Sequence, residues 1–153
     1  MSQPLAFAHR NIYHGKILLS GWRQMLDGQS EPREQVGLAF APAVKRHFLD
    51  AYGWLLLAAC RVTQVPEQPP HSVDDLPPLP AGLVRPAELN ACAALENDGW
   101  VAALKQPITR ASLSVATGHL ASDVRGFDAR HFEAWLQQLV DLADLIAGAI
   151  DES

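Results

Sequence analysis

Leu5, Ala8, Ile12, Gly15, Leu19, Trp22 and Leu26 recur at alternating steps of three and four residues. That spacing keeps one stripe of a helix turned toward a core. Phe7, Asn11, His14, Leu18 and Met25 form a second stripe beside it, so close to half the circumference is apolar and two neighbours are expected. The pattern predicts a first helix over about residues 4–26. Pro4 is tolerated in its first turn, where the missing donor would have no partner anyway, and Asp27-Gly28 is expected to stop it. Residues 29–41 read as a polar connection with room for a short helical piece from Pro32 to Phe40. A second helix is predicted over about 42–62, with the seam Val44, His47, Ala51, Trp54 or Leu55, Ala58 and Val62. Leu49, Leu56 and Cys60 fall on another side, and a helix apolar most of the way round is a central one.

Seven of the eleven prolines then fall between Pro66 and Pro86. Each lacks a donor and clashes with the preceding turn, so helix is disfavoured throughout. Residues 65–86 are therefore expected to form a long, stiff crossover, with Leu76, Leu79, Leu83 and Val84 packing down in extended form. Helix resumes at Pro86, with Leu89, Cys92, Ala93, Trp100 and Leu104 on one face. Asn97-Asp98-Gly99 argues for a break, giving one piece over 86–96 and another over 98–105 that begins at a capping Asn97 or Asp98. Residues 107–127, rich in Ser, Thr and Gly, are left as a loop anchored by Leu113, Val115, Leu120 and Val124. Asp128 is expected to cap a last helix over 128–150 with the seam Phe132, Trp135, Leu139, Leu142, Ile146 and Ala149. The fold class that follows is all-α: a single domain, a four-helix up-and-down-like bundle with a long proline-rich crossover between helices 2 and 3. One tryptophan falls in each main helix (Trp22, Trp54, Trp100, Trp135), which reads as core filling sooner than as a ligand cage.

Composition agrees with a globular chain: 48% of residues are hydrophobic and 19% charged. Cys60 and Cys92 sit in apolar helical contexts without CxxC spacing and are expected to be buried thiols in a reducing cytosol. The start of the chain has no signal-peptide pattern, and the longest apolar run, Trp54 to Cys60, is too short to span a membrane. A cytoplasmic protein without a membrane partner is the expectation. Charge is uneven. Residues 1–49 hold six Lys/Arg and three Asp/Glu, a net +3, whereas residues 50–153 hold six and fourteen, a net −8. Nucleic-acid binding would need a clustered basic stripe with aromatics, and Arg33 and Lys45-Arg46 do not make one.

Motifs for chemistry are weak. His9 and His14 are five apart and do not share a helix face. The chain has no Glu-x-x-His, which a di-iron bundle needs, so neither a metal site nor a cofactor is expected. Arg125 and His131 have five residues between them, matching the loose Arg-x4–6-His pattern of helical RNases of the HEPN type, themselves four-helix bundles. Ser112, Ser114, Thr117 and His119 share a segment, but there is no Gly-x-Ser-x-Gly elbow and no phosphate loop. More informative are the polar residues on apolar stripes. Asn11, His14, His47 and Tyr52 would have to find partners if buried, and they mark either a register-fixing network or the lining of a small-molecule pocket.

The run Asn11-x-Tyr13-x-x-Lys16-x-Leu18-Leu19, the block His47-Phe-Leu-x-Ala51-Tyr52-Gly-Trp-Leu55-Leu56, and the later Glu88-Leu89, Leu95 and Trp100 resemble an uncharacterised all-helical protein family of pseudomonads and their relatives. The likeness spans about two thirds of the chain. It implies a cytosolic, single-domain helical protein and carries over no activity and no catalytic residue; the serine-rich stretch Arg110 to Gly126 departs from it. The functional expectation is a small cytosolic interaction or scaffold protein without chemistry of its own. The wide apolar arcs of helices 1 and 2 suggest a homodimer or another protein as partner. The alternatives are a HEPN-like RNase using Arg125 and His131, and a small-molecule-binding bundle lined by Asn11, His14, His47 and Tyr52.

Overall fold

The computed structural model describes residues 2–109 and 128–152. Those residues are helical, without strands. In chain order they form α1 (Gln3–Gly28), α2 (Arg33–Ala59), a 3-10 turn (Val73–Asp75), α3 (Ala87–Asp98), α4 (Trp100–Lys105) and α5 (Ala129–Asp151). The expected loop over 107–127, with its four apolar anchors, lies outside the described residues apart from its first positions.

The Ser2 hydroxyl accepts from the Leu5 amide and opens α1. The stripe read from spacing is the buried one: Leu5, Ala8, Ile12, Gly15, Leu19 and Trp22 all face inward. The helix runs two residues past the expected end, through Asp27 and Gly28, and stops where Gln29 takes the left-handed conformation with φ 53°. Only residues 29–32 separate α1 from α2, so the two form a tight antiparallel hairpin. They approach closely at Gly15, where a Cβ would collide with the ring of the fully buried Phe48.

The start of helix 2 near Pro42 is corrected: α2 begins at Arg33 and Pro42 lies inside it. A proline there removes one backbone hydrogen bond and costs on the order of 3 kcal/mol. Val36, Gly37, Ala41 and Val44 are buried against the core on either side of it, and that packing outweighs the local penalty. The helix is central, as its composition suggested. Every residue from Ala51 to Cys60 is buried. Its seam is turned slightly from the one expected, with Phe48 fully buried and His47 only half-buried.

Helix α2 ends three residues short of Val62 in a Schellman turn. The Val62 amide donates to Leu57 O (3.2 Å) and the Arg61 amide to Ala58 O (3.0 Å). Arg61 holds the left-handed position with φ 56°, which strains a residue carrying a Cβ. Arg61→Gly is expected to stabilise the fold by about 0.5–1 kcal/mol, read as a higher midpoint in urea; an unchanged or lower midpoint would contradict the strain argument.

The crossover runs back over α2 as a strap. It is largely extended, as expected, apart from a turn in which the Leu83 amide donates to Pro80 O (3.0 Å) with Gly82 at φ 84°, and the proline-free gap between Pro70 and Pro77. There the Ser72 hydroxyl accepts from the Asp74 amide and one 3-10 turn forms with Val73 buried. Leu76, Leu79 and Leu83 are half-buried, whereas Val84, expected to pack down, is 85% exposed. The strap meets α2 at Gly53, where a Cβ would overlap the Pro70 carbonyl oxygen and lie 2.9 Å from its carbon.

Helices α3 and α4 divide at Gly99, as the Asn97-Asp98-Gly99 run suggested, but Gly99 itself is the cap of both. A Cβ there would come within 2.8 Å of Leu95 Cα. The pair packs on α2. Helix α5 packs on both α1 and α2 through Phe132, Trp135, Leu139, Leu142 and Ile146. Arg23 of α1 donates twice to the Glu133 carboxylate of α5, both at 2.6 Å. The tryptophans do not gather into one cage: Trp54 meets Phe7, Trp100 meets Tyr52, and Trp22 and Trp135 both pack on Phe132. Among the described residues no helix is long and apolar enough to cross a membrane.

Candidate functional site

Three of the four polar residues expected to meet do so. Asn11 and His14 lie one turn apart on α1, and His47 reaches them from α2 across the hairpin. The Asn11 amide nitrogen donates to Phe7 O at 3.1 Å, so its oxygen is the atom facing His47 Nδ1 at 3.0 Å. Nδ1 therefore carries the proton and Nε2 is the basic nitrogen. The His14 ring stands edge-on to His47 with centroids 5.5 Å apart. Burial lowers the His47 pKa, His14 and Arg46 add to this, and Asp50 opposes them. Burial thus favours the neutral imidazole, an acceptor midway along the α1–α2 seam with a second imidazole beside it. Among the described residues no group of three or more His, Cys, Asp or Glu side chains is placed to hold a metal ion.

Tyr52 is not part of that seam. It is fully buried on another side of α2, where its hydroxyl donates to Glu96 Oε2 at 2.5 Å. Burial raises its pKa above the usual range, and the Glu96 hydrogen bond adds to this. Glu96 also accepts from the Ser72 hydroxyl at 2.7 Å and from the Val73 amide at 3.0 Å, with the Lys105 ammonium 3.7 Å away. One carboxylate thus ties α2, the strap and the α3–α4 pair together, in a network that sequence reasoning missed. Cys92, whose carbonyl faces the same tyrosine, has its thiol pushed up to about 11 by burial, and burial raises Cys60 as well. Both are buried free thiols and poor nucleophiles at neutral pH.

A second missed pair sits nearby. Asp50 of α2 holds His71 of the strap at 2.8 Å and has Arg46 at 3.9 Å. Lys45, one residue further up the helix, donates to Lys105 O (3.2 Å) and Gln106 O (2.7 Å), closing the C-terminus of α4.

Of the RNase pair, Arg125 lies outside the described residues. His131 is engaged at the start of α5. The Asp128 carboxylate accepts from the Arg130 and His131 amides, and His131 Nδ1 reaches back to the Asp128 amide at 3.2 Å, a capping box. Burial raises the Asp128 pKa, but hydrogen bonds from His131 and Arg130 outweigh it and hold the group well below its ordinary 3.8. A depressed carboxylate contributes stability that is whole above its unfolded value and lost as pH falls below it. Wild-type stability is therefore expected to fall between about pH 4 and pH 2 by up to about 1.4 kcal/mol per unit from this group. Asp128→Asn should flatten that slope and cost about 1 kcal/mol at neutral pH. Urea midpoints across the acid range test it, and parallel slopes in the two proteins would contradict it.

No family model matches the chain, and neither a curated protein nor a solved structure matches it.

Proposed function

We propose that this chain is a small helical interaction protein without chemistry of its own, and that it self-associates through the outer face of α1. The observation that carries the reading is the exposure of Tyr13 (62%) and Ile17 (52%), one turn apart on the side of α1 turned away from its buried stripe. Polar Arg10, Lys16 and Ser20 surround them, giving an apolar centre within a wet rim, the arrangement of a contact surface. The apolar arc of α2 offers no such surface, because the strap and α3 cover it within the chain. A two-fold helix-on-helix contact would bury Tyr13 and Ile17 of one copy against those of the other.

Light scattering over a wide concentration range tests the reading. The expected result is a molar mass rising from 16.7 kDa toward twice that value, and a monomer throughout for the Tyr13→Ser, Ile17→Ser double variant. A wild-type protein that stays monomeric at the highest concentration would remove the self-association.

A further inference from the structure

The side of α2 away from α1 presents a recess that the α1 contact surface does not involve. Pro42, Lys45, Arg46 and Leu49 of α2, His71 of the strap and Ile108 line a space of about 370 Å³. Pro42, Leu49 and Ile108 make its apolar part and Lys45, Arg46 and His71 its basic part.

The three basic groups are not equally occupied. Lys45 Nζ donates to two carbonyl oxygens, which carry no formal charge, and an ammonium has a third donor to give. Among the described residues it makes no ion pair. The Arg46 side chain is 76% exposed, with Asp50 at 3.9 Å as a loose partner. His71 Nε2 is held by Asp50 at 2.8 Å, which leaves Nδ1 for another group. Among the described residues, Asp50 is the acidic residue paired with these groups. It lies behind the basic side chains, its own side chain 15% exposed, and is spent on Arg46 and His71. Basic donors therefore converge on an apolar concavity of ligand size with no carboxylate among its described lining residues.

We propose that this recess binds a small amphiphilic anion, a single carboxylate or phosphate head on a short apolar body. The head lies between Lys45, Arg46 and His71, and the body covers Leu49, Pro42 and Ile108. Burial lowers the Lys45 pKa, so a bound anion would also relieve the cost of keeping that ammonium charged. The requirement for both a charge and a tail follows from the lining: the head accepts hydrogen bonds from the basic side chains, and the tail removes apolar wall from water.

Calorimetric titration and thermal unfolding of the full chain at low ionic strength test this with four probes: octanoate, octyl phosphate, octanol and inorganic phosphate. The expected result is saturable binding of at least one of the two amphiphilic anions with a rise in Tm. Octanol and inorganic phosphate should bind about tenfold more weakly or not at all. The stronger of the two heads identifies the source of the ligand. Arg46→Gln, at a largely exposed position, should leave the unliganded Tm unchanged and weaken anion binding about tenfold. Lys45→Gln should weaken it as well, and serves as the second variant. The Tyr13→Ser, Ile17→Ser variant should bind like wild type. The proposal is overturned if neither anion saturates, if octanol binds as well as octanoate, if both charge variants bind like wild type, or if binding disappears with the α1 stripe.

Discussion

Replacing Glu96 by alanine is expected to cost about 3–5 kcal/mol of folding stability, more than any other single polar-to-alanine change among the described residues. The reason lies in what is left behind. The Tyr52 hydroxyl is fully buried and keeps only the distant Cys92 carbonyl oxygen, at 3.5 Å. The Val73 amide sits in a turn whose own side chain is buried, and Ser72 loses its acceptor as well. Each orphaned donor costs about 1–3 kcal/mol. Glu96→Gln separates shape from charge. Its amide keeps one acceptor for three donors, so a loss of about 1–2 kcal/mol is expected. Tyr52→Phe should cost about 1 kcal/mol, because the carboxylate retains its strap donors. Urea unfolding followed by circular dichroism gives the ranking, and limited proteolysis should show earlier cleavage within 65–86 in Glu96→Ala. A Glu96→Ala protein within 1 kcal/mol of wild type would mean that the network is ornamental.

Gly53→Ala is the second large effect. Glycine inside a helix is a poor choice by about 1 kcal/mol relative to alanine, and at Gly148, where added atoms meet open space, that exchange should raise stability by up to that amount. At Gly53 the sign reverses. The added carbon overlaps a backbone oxygen of Pro70 and lies 3.0 Å from the Pro69 Cβ. The obstacle belongs to a proline pair with little freedom to move. The strap must lift by roughly 1 Å or more along its contact, exposing Val73 and straining the Tyr52–Glu96 bond, for a cost of about 3 kcal/mol. Comparing the two alanine variants under the same conditions tests packing against propensity within one molecule. Equal shifts of the same sign would refute the contact.

The seams of α1 and α5 were legible because period and burial coincide there, and Asp128 announced its own cap. The break at Gly99 was legible because three weak helix formers stand in a row. The beginning of α2 was not. A proline is a local signal, whereas the burial of Val36, Gly37, Ala41 and Val44 that overrides it depends on a partner helix. The α1–α2 seam was half legible: Asn11, His14 and His47 meet as expected. Tyr52 could have been set apart from His47 beforehand, since five residues turn a helix by about 140°. Glu96 gave no signal. Its partners Tyr52, Ser72 and Val73 are 44, 24 and 23 residues away in the chain, and a lone glutamate on a polar helix face looks solvated until the chain folds over it.

The joint at Gly53 is made of main chain against main chain, and this bears on how such a protein can drift over generations. Side-chain identity along the outer edge of the strap, at Pro77, Pro78 and Pro80, is free to change as long as stiffness is kept. Two of the points where it is pinned, a missing side chain on α2 and a carboxylate at the end of α3, cannot be exchanged one at a time. Descendants of this chain should vary widely over the strap and hold still at positions 53 and 96.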